Sequence, residues 1–340
     1  MKKVIVILIL SSCIINANAQ TGGDNVYEFL NLSPGAYMSS LGGFNVSSPS
    51  NDPSGAMFNP ALAGSRSHGS LALNYLNYFA GIHYGSIMYS HHTDSSGTFS
   101  AGINYLNYGR FDRADEAGIR NGHFNASEYA FNIIYSRQLD SSFSIGINLK
   151  PVISQLESYV SLGFAIDLGA FYQSNDGIIN AGIAIRNSGF QLTTYSGVRE
   201  KLPFEIVAGI STGLKHAPLR FSLTARHLEK YDLMHTYSTT ANDDPPLSKA
   251  GEIAENIMRH LIFGAELMPT ENFFITAGFN YQRRKELMFD LRSATVGFSL
   301  GAGIKTSSFE IMISRAKYHI AGSSTSFSLL LKPSLFNSLK

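Results

Sequence analysis

Residues 161–173 read Ser-Leu-Gly-Phe-Ala-Ile-Asp-Leu-Gly-Ala-Phe-Tyr-Gln. In an extended chain successive side chains point to opposite faces, so Leu162, Phe164, Ile166, Leu168, Ala170 and Tyr172 share one side. Ser161, Gly163, Asp167, Gly169 and Gln173 share the other. The split recurs along the chain. Phe143, Ile145, Ile147 and Leu149 oppose Ser144, Gly146, Asn148 and Lys150. Phe204, Ile206, Ala208 and Ile210 oppose Glu205, Gly209 and Ser211, and Leu219, Phe221, Leu223 and Ala225 oppose Arg220, Ser222, Thr224 and Arg226. Period two sustained from Ser70 onward predicts strands with one apolar face.

A soluble sandwich alternates too, but three features favour a membrane barrel. The polar face is mostly Gly, Ser, Asn and Thr with scattered charges, which suits a barrel interior. Segments run about ten residues, the length a tilted strand needs to cross hydrocarbon. Tyr and Phe gather at segment ends, as Tyr75, Tyr78, Phe79, Tyr105, Tyr108, Tyr135, Phe171, Tyr172, Tyr281 and Tyr318 illustrate, and interfacial girdles do the same. The pattern predicts about fourteen strands, an even number as single-chain barrels require. Connections alternate between short ones (91–96, 138–141, 174–177, 214–218, 269–271, 305–306) and long ones (109–126, 188–202, 230–259, 283–292).

The predicted fold is therefore all-β: a transmembrane outer-membrane barrel of about 14 antiparallel strands over 70–340. Residues 20–69 are rich in Gly, Ser, Asn and Pro without periodicity, and are expected to form an N-terminal hatch that plugs the lumen. In the longest loop, Asp243-Asp244-Pro245-Pro246 precede Leu247, Ile253, Ile257 and Met258 at helical spacing. A short helix is expected from Leu247 to Arg259, started by the prolines.

Composition agrees. Of 340 residues only 15% are charged, against about a quarter in soluble domains, while 23 Phe, 17 Tyr and 31 Gly run high. The formal charge of +1 argues against a nucleic-acid partner, which favours a basic stripe. Residues 1–19 read as a signal peptide: Lys2 and Lys3, an apolar stretch from Val4 to Ile15, then Ala17-Asn18-Ala19. Leu10-Ser11-Ser12-Cys13 loosely matches a lipoprotein box, but the apolar stretch continues through Ile14 and Ile15. Cys13 is the only cysteine, which excludes a disulfide framework and a cysteine metal site.

No catalytic constellation emerges, and no enzymatic activity is expected. Gly209-Ile210-Ser211-Thr212-Gly213 has the spacing of a nucleophile elbow but lies inside an alternating strand, without the required corner. Ser314 and Lys317 match a serine–lysine motif that needs a helix face; three apart in a strand they diverge. His91-His92 lack further ligands at metal spacing. The in-strand charges Lys150, Asp167, Arg186, Glu205, Arg226, Glu266 and Glu310 must face the lumen, because a charge in mid-hydrocarbon costs about 2–4 kcal/mol. They are expected to pair with the plug and with each other.

Asn59-Pro60-Ala61 just before the first strand resembles the hatch motif of FadL-type outer-membrane barrels. Val26-Tyr27-Glu28-Phe29-Leu30-Asn31-Leu32, Ser40-Leu41-Gly42-Gly43 and Asn59-Pro60-Ala61-Leu62 resemble the start of the PorQ family of type IX secretion components. Tyr108-Gly109-Arg110-Phe111, Asp115-Glu116-Ala117-Gly118 and Gly122-His123-Phe124-Asn125-Ala126 are similar to that family as well, whereas Tyr37 stands where a basic residue is expected. The resemblance implies a non-enzymatic membrane anchor for a PorZ-like surface protein, with PorU- and PorV-like components of an attachment complex. Outer-membrane lipid and lipopolysaccharide are the remaining expected partners. No cofactor is expected; a lipid or detergent molecule in the lumen is the one guest allowed for.

Binding residues are expected on the long loops: Tyr231, Leu233, Met234, His235, Tyr237, Ile253, Ile257 and Met258, with Phe111 and Phe124 from the first. Two rival readings share the barrel: a FadL-type transporter of hydrophobic small molecules and a PorV-type cargo shuttle. The transporter requires an apolar pocket between hatch and wall, for which Phe29, Leu30, Leu32, Met38, Met57 and Phe58 are candidates. These residues could equally form the plug's own core.

Overall fold

The computed structural model describes residues 25–115, 117–234, 248–287, 295–319 and 322–332. The predicted signal peptide lies outside them. Fourteen antiparallel strands close into one barrel, each bonded to its sequence neighbours and the last to the first. They are β1 (Leu71–Asn77), β2 (His83–Thr93), β3 (Gly97–Ala114), β4 (Arg120–Gln138), β5 (Phe143–Leu156), β6 (Tyr159–Gln173) and β7 (Ile179–Thr193). The second half comprises β8 (Glu205–Leu214), β9 (Ala217–Ala225), β10 (Leu261–Thr270), β11 (Phe273–Asn280), β12 (Phe298–Lys305), β13 (Phe309–His319) and β14 (Gly322–Leu331).

Burial in this molecule is inside-out. Tyr75, Ile87, Phe99, Ile133, Ile145, Leu168 and Ile183 are exposed on β1 to β7, and Ile210, Phe221, Phe263, Ile275, Leu300, Ile313 and Phe327 on β8 to β14. Their neighbours Asn74, Ser86, Ser100, Asn132, Asn148, Asp167, Ser211, Thr276, Ser299 and Ser326 are buried. An apolar outer wall around a polar interior is the arrangement a bilayer selects.

At one end the connections never exceed five residues; at the other, 194–204, 226–260 and 281–297 are long. The first expected loop needs correction. Residues 109–126 are mostly strand: β3 and β4 run past the rim as a paired hairpin, Arg110 opposite Asn125 and Phe111 opposite Phe124. Arg120 and His123 meet Asp112 at 2.8 and 2.9 Å, and Arg113 meets Glu157 at 2.7 Å. The expected loop 188–202 shortens likewise, because β7 continues to Thr193.

Among the described residues three α-helices punctuate the chain: α1 (Ala36–Ser40), α2 (Lys249–His260) and α3 (Tyr281–Leu287). α2 lies where a helix was expected, but its start differs. Ser248 caps it, the hydroxyl accepting from the Gly251 amide at 3.2 Å; Leu247 and the two prolines lie outside the described residues.

The two faces should respond differently to substitution. Ile166→Arg or Leu223→Arg puts a charge in hydrocarbon, costing about 2–4 kcal/mol, and should impair insertion as read by heat-modifiable gel mobility. Asp167→Asn should assemble but lose stability, by about 3–5 kcal/mol, because it strands the buried Lys150 partner 2.7 Å away.

Candidate functional site

The interior is the first place to look for a site, and residues 25–69 are its principal content. The segment begins at the long-loop end, where the Val26 amide donates to the Lys201 carbonyl at 2.9 Å. It ends at the short-turn end, where the Gly69 amide donates to the Ser90 carbonyl at 2.8 Å. Between them it bonds to strands around the circumference. Tyr27 shares a 2.5 Å hydrogen bond with Ser161, the Ala36 amide donates to Ser328, the Gly42 amide donates to Ser299, and Ser211 donates to the Ser47 carbonyl.

Glycines in the wall permit the approach. A Cβ on Gly182 would lie 1.9 Å from the Val46 oxygen, on Gly278 2.2 Å from the Gly42 nitrogen, and on Gly146 2.4 Å from the Pro60 carbonyl carbon. The Asn59-Pro60-Ala61 motif sits at this contact. Asn59 caps its own turn by accepting from the Ala61 amide, and donates to the carbonyls of Val46 and Ala170. A Cβ on Gly169 would collide with its side chain at 2.0 Å. These glycines were visible in the sequence; their role needed the path of the segment.

Six of the seven charges expected to face the lumen form local pairs, and the seventh, Glu310, lines the short-turn mouth. Lys150 meets Asp167 at 2.7 Å, and Arg220 meets Glu266 at 2.9 Å. Glu205 holds Arg186 at 3.0 Å and Arg226 at 2.5 Å. Both guanidinium groups lie over the ring of Phe44, Arg226 at 3.4 Å and Arg186 at 4.8 Å from its centroid. Arg186 also donates to the Leu30 carbonyl, and Tyr37 donates to Glu266. Arg220 thus supplies the cation beside Tyr37, where the resemblance led one to expect a base on the segment itself.

Phe29, Leu30, Met38, Met57 and Phe58 are buried in the segment's apolar clusters. The voids against them measure about 10 Å³ each, room for a single water at most. Larger spaces lie at the two mouths: about 240 Å³ at the long-loop end, among Glu28, Asn31, Arg226, His227, Lys230 and Arg283, and about 680 Å³ at the short-turn end, among Arg66, Arg220, Glu266, Lys305 and Glu310.

The expected loop residues separate. Tyr231 is 80% exposed, and Ile253 and Ile257 are 51% and 56% exposed, one turn apart on α2. Leu233 is buried, Met234 and Met258 are half-buried, and His235 and Tyr237 lie outside the described residues. Phe111 is exposed and stacks on half-buried Phe124 at 5.2 Å. α2 turns its polar side inward. Asn256 accepts from the Leu233 amide at 2.9 Å and donates to the Tyr231 carbonyl, while His260 bonds the carbonyls of Asn256 and Lys230. α3 reaches over the lumen, with Arg283 donating to the Gly42 carbonyl at 3.2 Å.

Glu255 joins the two helices, accepting from Tyr281 at 2.5 Å and facing Arg259 and Lys285 at 3.3 and 3.4 Å. Burial alone would raise its carboxyl pKa, but the Tyr281 hydroxyl, then Lys285 and Arg259, hold it below the ordinary value. A carboxyl depressed in the folded state stabilises above its unfolded pKa, about 4.3, and loses that contribution as pH falls through the folded value. Protection of the 249–260 amides, measured relative to their intrinsic exchange at each pH, should therefore be highest at neutral pH and fall as acid protonates Glu255, below about pH 4. Glu255→Gln should abolish this pH dependence.

Ser211 and Ser314 of the two serine motifs are both buried within strands, and Ser211 donates its hydroxyl to the Ser47 carbonyl. No protein-family model matches the chain, and no curated protein matches it. Among solved structures, the Pseudomonas putida toluene transporter TodX aligns over 88% of this chain and 97% of its own, at 11% identity and a TM-score of 0.53. A deltaS2S3 mutant of the TodX monoaromatic hydrocarbon channel aligns over 87% and 97% at 12% identity and 0.50. The barrel shares its fold with TodX. A Pseudomonas aeruginosa FadL homologue aligns over 82% and 93% at 13% identity and 0.45. The closed fourteen-stranded antiparallel barrel expected from the sequence thus stands.

Proposed function

We propose that this protein is a closed outer-membrane barrel that anchors a surface partner through its long-loop end, with residues 25–69 acting as a hatch across the lumen. The observation that carries the reading is the orientation of α2. A solitary helix on a soluble surface hides its apolar stripe; α2 instead turns Asn256 inward and leaves Ile253 and Ile257 outside. Exposed aliphatics beside Tyr231 are the residue types an interface core uses. The residue resemblance to PorQ proteins extends the proposal to a PorZ-like partner within a type IX attachment complex, with export by the signal peptide.

Transport of hydrophobic small molecules is the second reading, favoured by the likeness to TodX. Against it stand the water-sized voids where an apolar pocket is required. Recovery of the tagged barrel from outer membranes in mild detergent distinguishes the two. A large surface protein should co-purify; recovery of the barrel alone, together with uptake of a hydrophobic solute by loaded vesicles, would overturn the anchor in favour of the transporter.

A further inference from the structure

The lipid-facing wall is not uniformly filled. A furrow of about 440 Å³ crosses β8 to β12, and its lining carries no charged residue. It arises where two small side chains face each other, Ala265 of β10 opposite Ala277 of β11. Phe263 and Phe279, paired with each other, wall it on the long-loop side, and Phe221 closes it beside Ala265.

The furrow also connects to charge. The Phe279 ring meets Tyr281 edge-on at 6.3 Å, and Lys285 lies 5.6 Å from the Tyr281 ring centroid. At this rim Lys285 and Arg259 share one carboxylate, Glu255, at 3.4 and 3.3 Å. Two cations thus share one carboxylate beside Tyr281, whose ring meets the Phe279 wall of the groove, and α3 carries Arg283, Arg284 and Lys285 against Glu286.

We infer that this furrow holds an acyl chain of a phosphate-bearing outer-leaflet lipid, with the phosphate against Lys285 and Arg259. Inside hydrocarbon one chain gains nothing over another from leaving water. Selection must come from dispersion contacts in a preformed hollow and from the anionic headgroup at a cationic rim. The hollow lies on β8 to β12, and the cations lie on α2 and α3, the helices adjoining β10 and β11. The inference rests on the outer-membrane placement proposed above, and not on the partner role.

Native mass spectrometry of the full barrel in detergent tests it, with bisphosphorylated lipid A and its dephosphorylated form as probes. One phosphorylated molecule should stay bound per barrel, and the dephosphorylated form should bind more weakly. Ala277→Phe fills the hollow and Lys285→Gln removes a rim charge; each should weaken binding about tenfold. Ala170→Phe, on the β6 outer wall away from the furrow, should leave it unchanged. Parental affinity in Ala277→Phe would overturn the inference, as would displacement of the lipid by inorganic phosphate alone. A barrel dimer that Ala277→Phe dissociates would assign the furrow to a second copy instead. Retention of the surface partner is scored separately: a parental barrel that holds the partner but no phosphorylated lipid sinks only this inference, and one that holds the lipid but no partner sinks only the anchor.

Discussion

Gly182→Leu combined with Gly278→Leu should turn a silent barrel into a conducting one. At both positions the wall has no side chain because the backbone of the N-terminal segment occupies the space. A Cβ would lie 1.9 Å from the Val46 oxygen at Gly182, and 2.2 and 2.4 Å from the Gly42 nitrogen and Leu41 carbonyl carbon at Gly278. These are backbone atoms, so no rotamer change relieves the clash. Overpacking of this kind costs about 1–3 kcal/mol per site, and each leucine adds three further carbons to the collision. The barrel wall is held by closed ladders between every neighbouring strand pair, whereas the segment is held by scattered hydrogen bonds and its own apolar clusters. The segment should yield first. Planar-bilayer recordings should show baseline current for the parent and porin-like steps for the double variant, matching a deletion of 21–60. Porin-like conductance in the parent would refute a hatch across the lumen.

The readable part of the sequence was the part under bilayer constraint. A one-residue slip would send Ile166 and Leu168 inward and Asp167 into lipid, so period two is enforced wherever strands cross hydrocarbon. Past the rim that pressure ends. Arg110, Asp112, Arg113, Arg120 and His123 show no alternation, and the extended β3–β4 hairpin is held by backbone pairing and ion pairs. It therefore read as loop. The interior charges were found one by one, but their partners follow only from register: Arg186 faces Glu205 and Arg220 faces Glu266 across adjacent strands. The start of α2 was misplaced because prolines are strong signals and Ser248 a quiet one. The path of residues 25–69 had no periodic signature at all. Its guide is the set of wall glycines opposite it, and a glycine in a strand reads equally well as a bulge or a close approach.

Ile253→Glu with Ile257→Glu should release the surface partner from the membrane while leaving the barrel assembled. Both side chains lie on the exposed face of α2, and neither takes part in the bonds that fix the helix. Those run through Asn256, Arg259 and His260 to the carbonyls and amide of 230–233, and through Glu255 to α3. A lid role falls to α3, whose Arg283 donates to the Gly42 carbonyl of the segment in the lumen. Fully burying an aliphatic side chain contributes about 1.5–3 kcal/mol. Placing two carboxylates in the same contact forfeits that gain and adds desolvation, so Kd should rise by about two orders of magnitude or more. Leu233→Ala is the contrasting variant: that side chain is buried beneath the helix, so it should loosen α2, visible as faster exchange over 249–260. The readout is the partition of the partner between membrane and medium in cells with equal barrel abundance. Full membrane retention with both glutamates in place would remove this helix from the binding site.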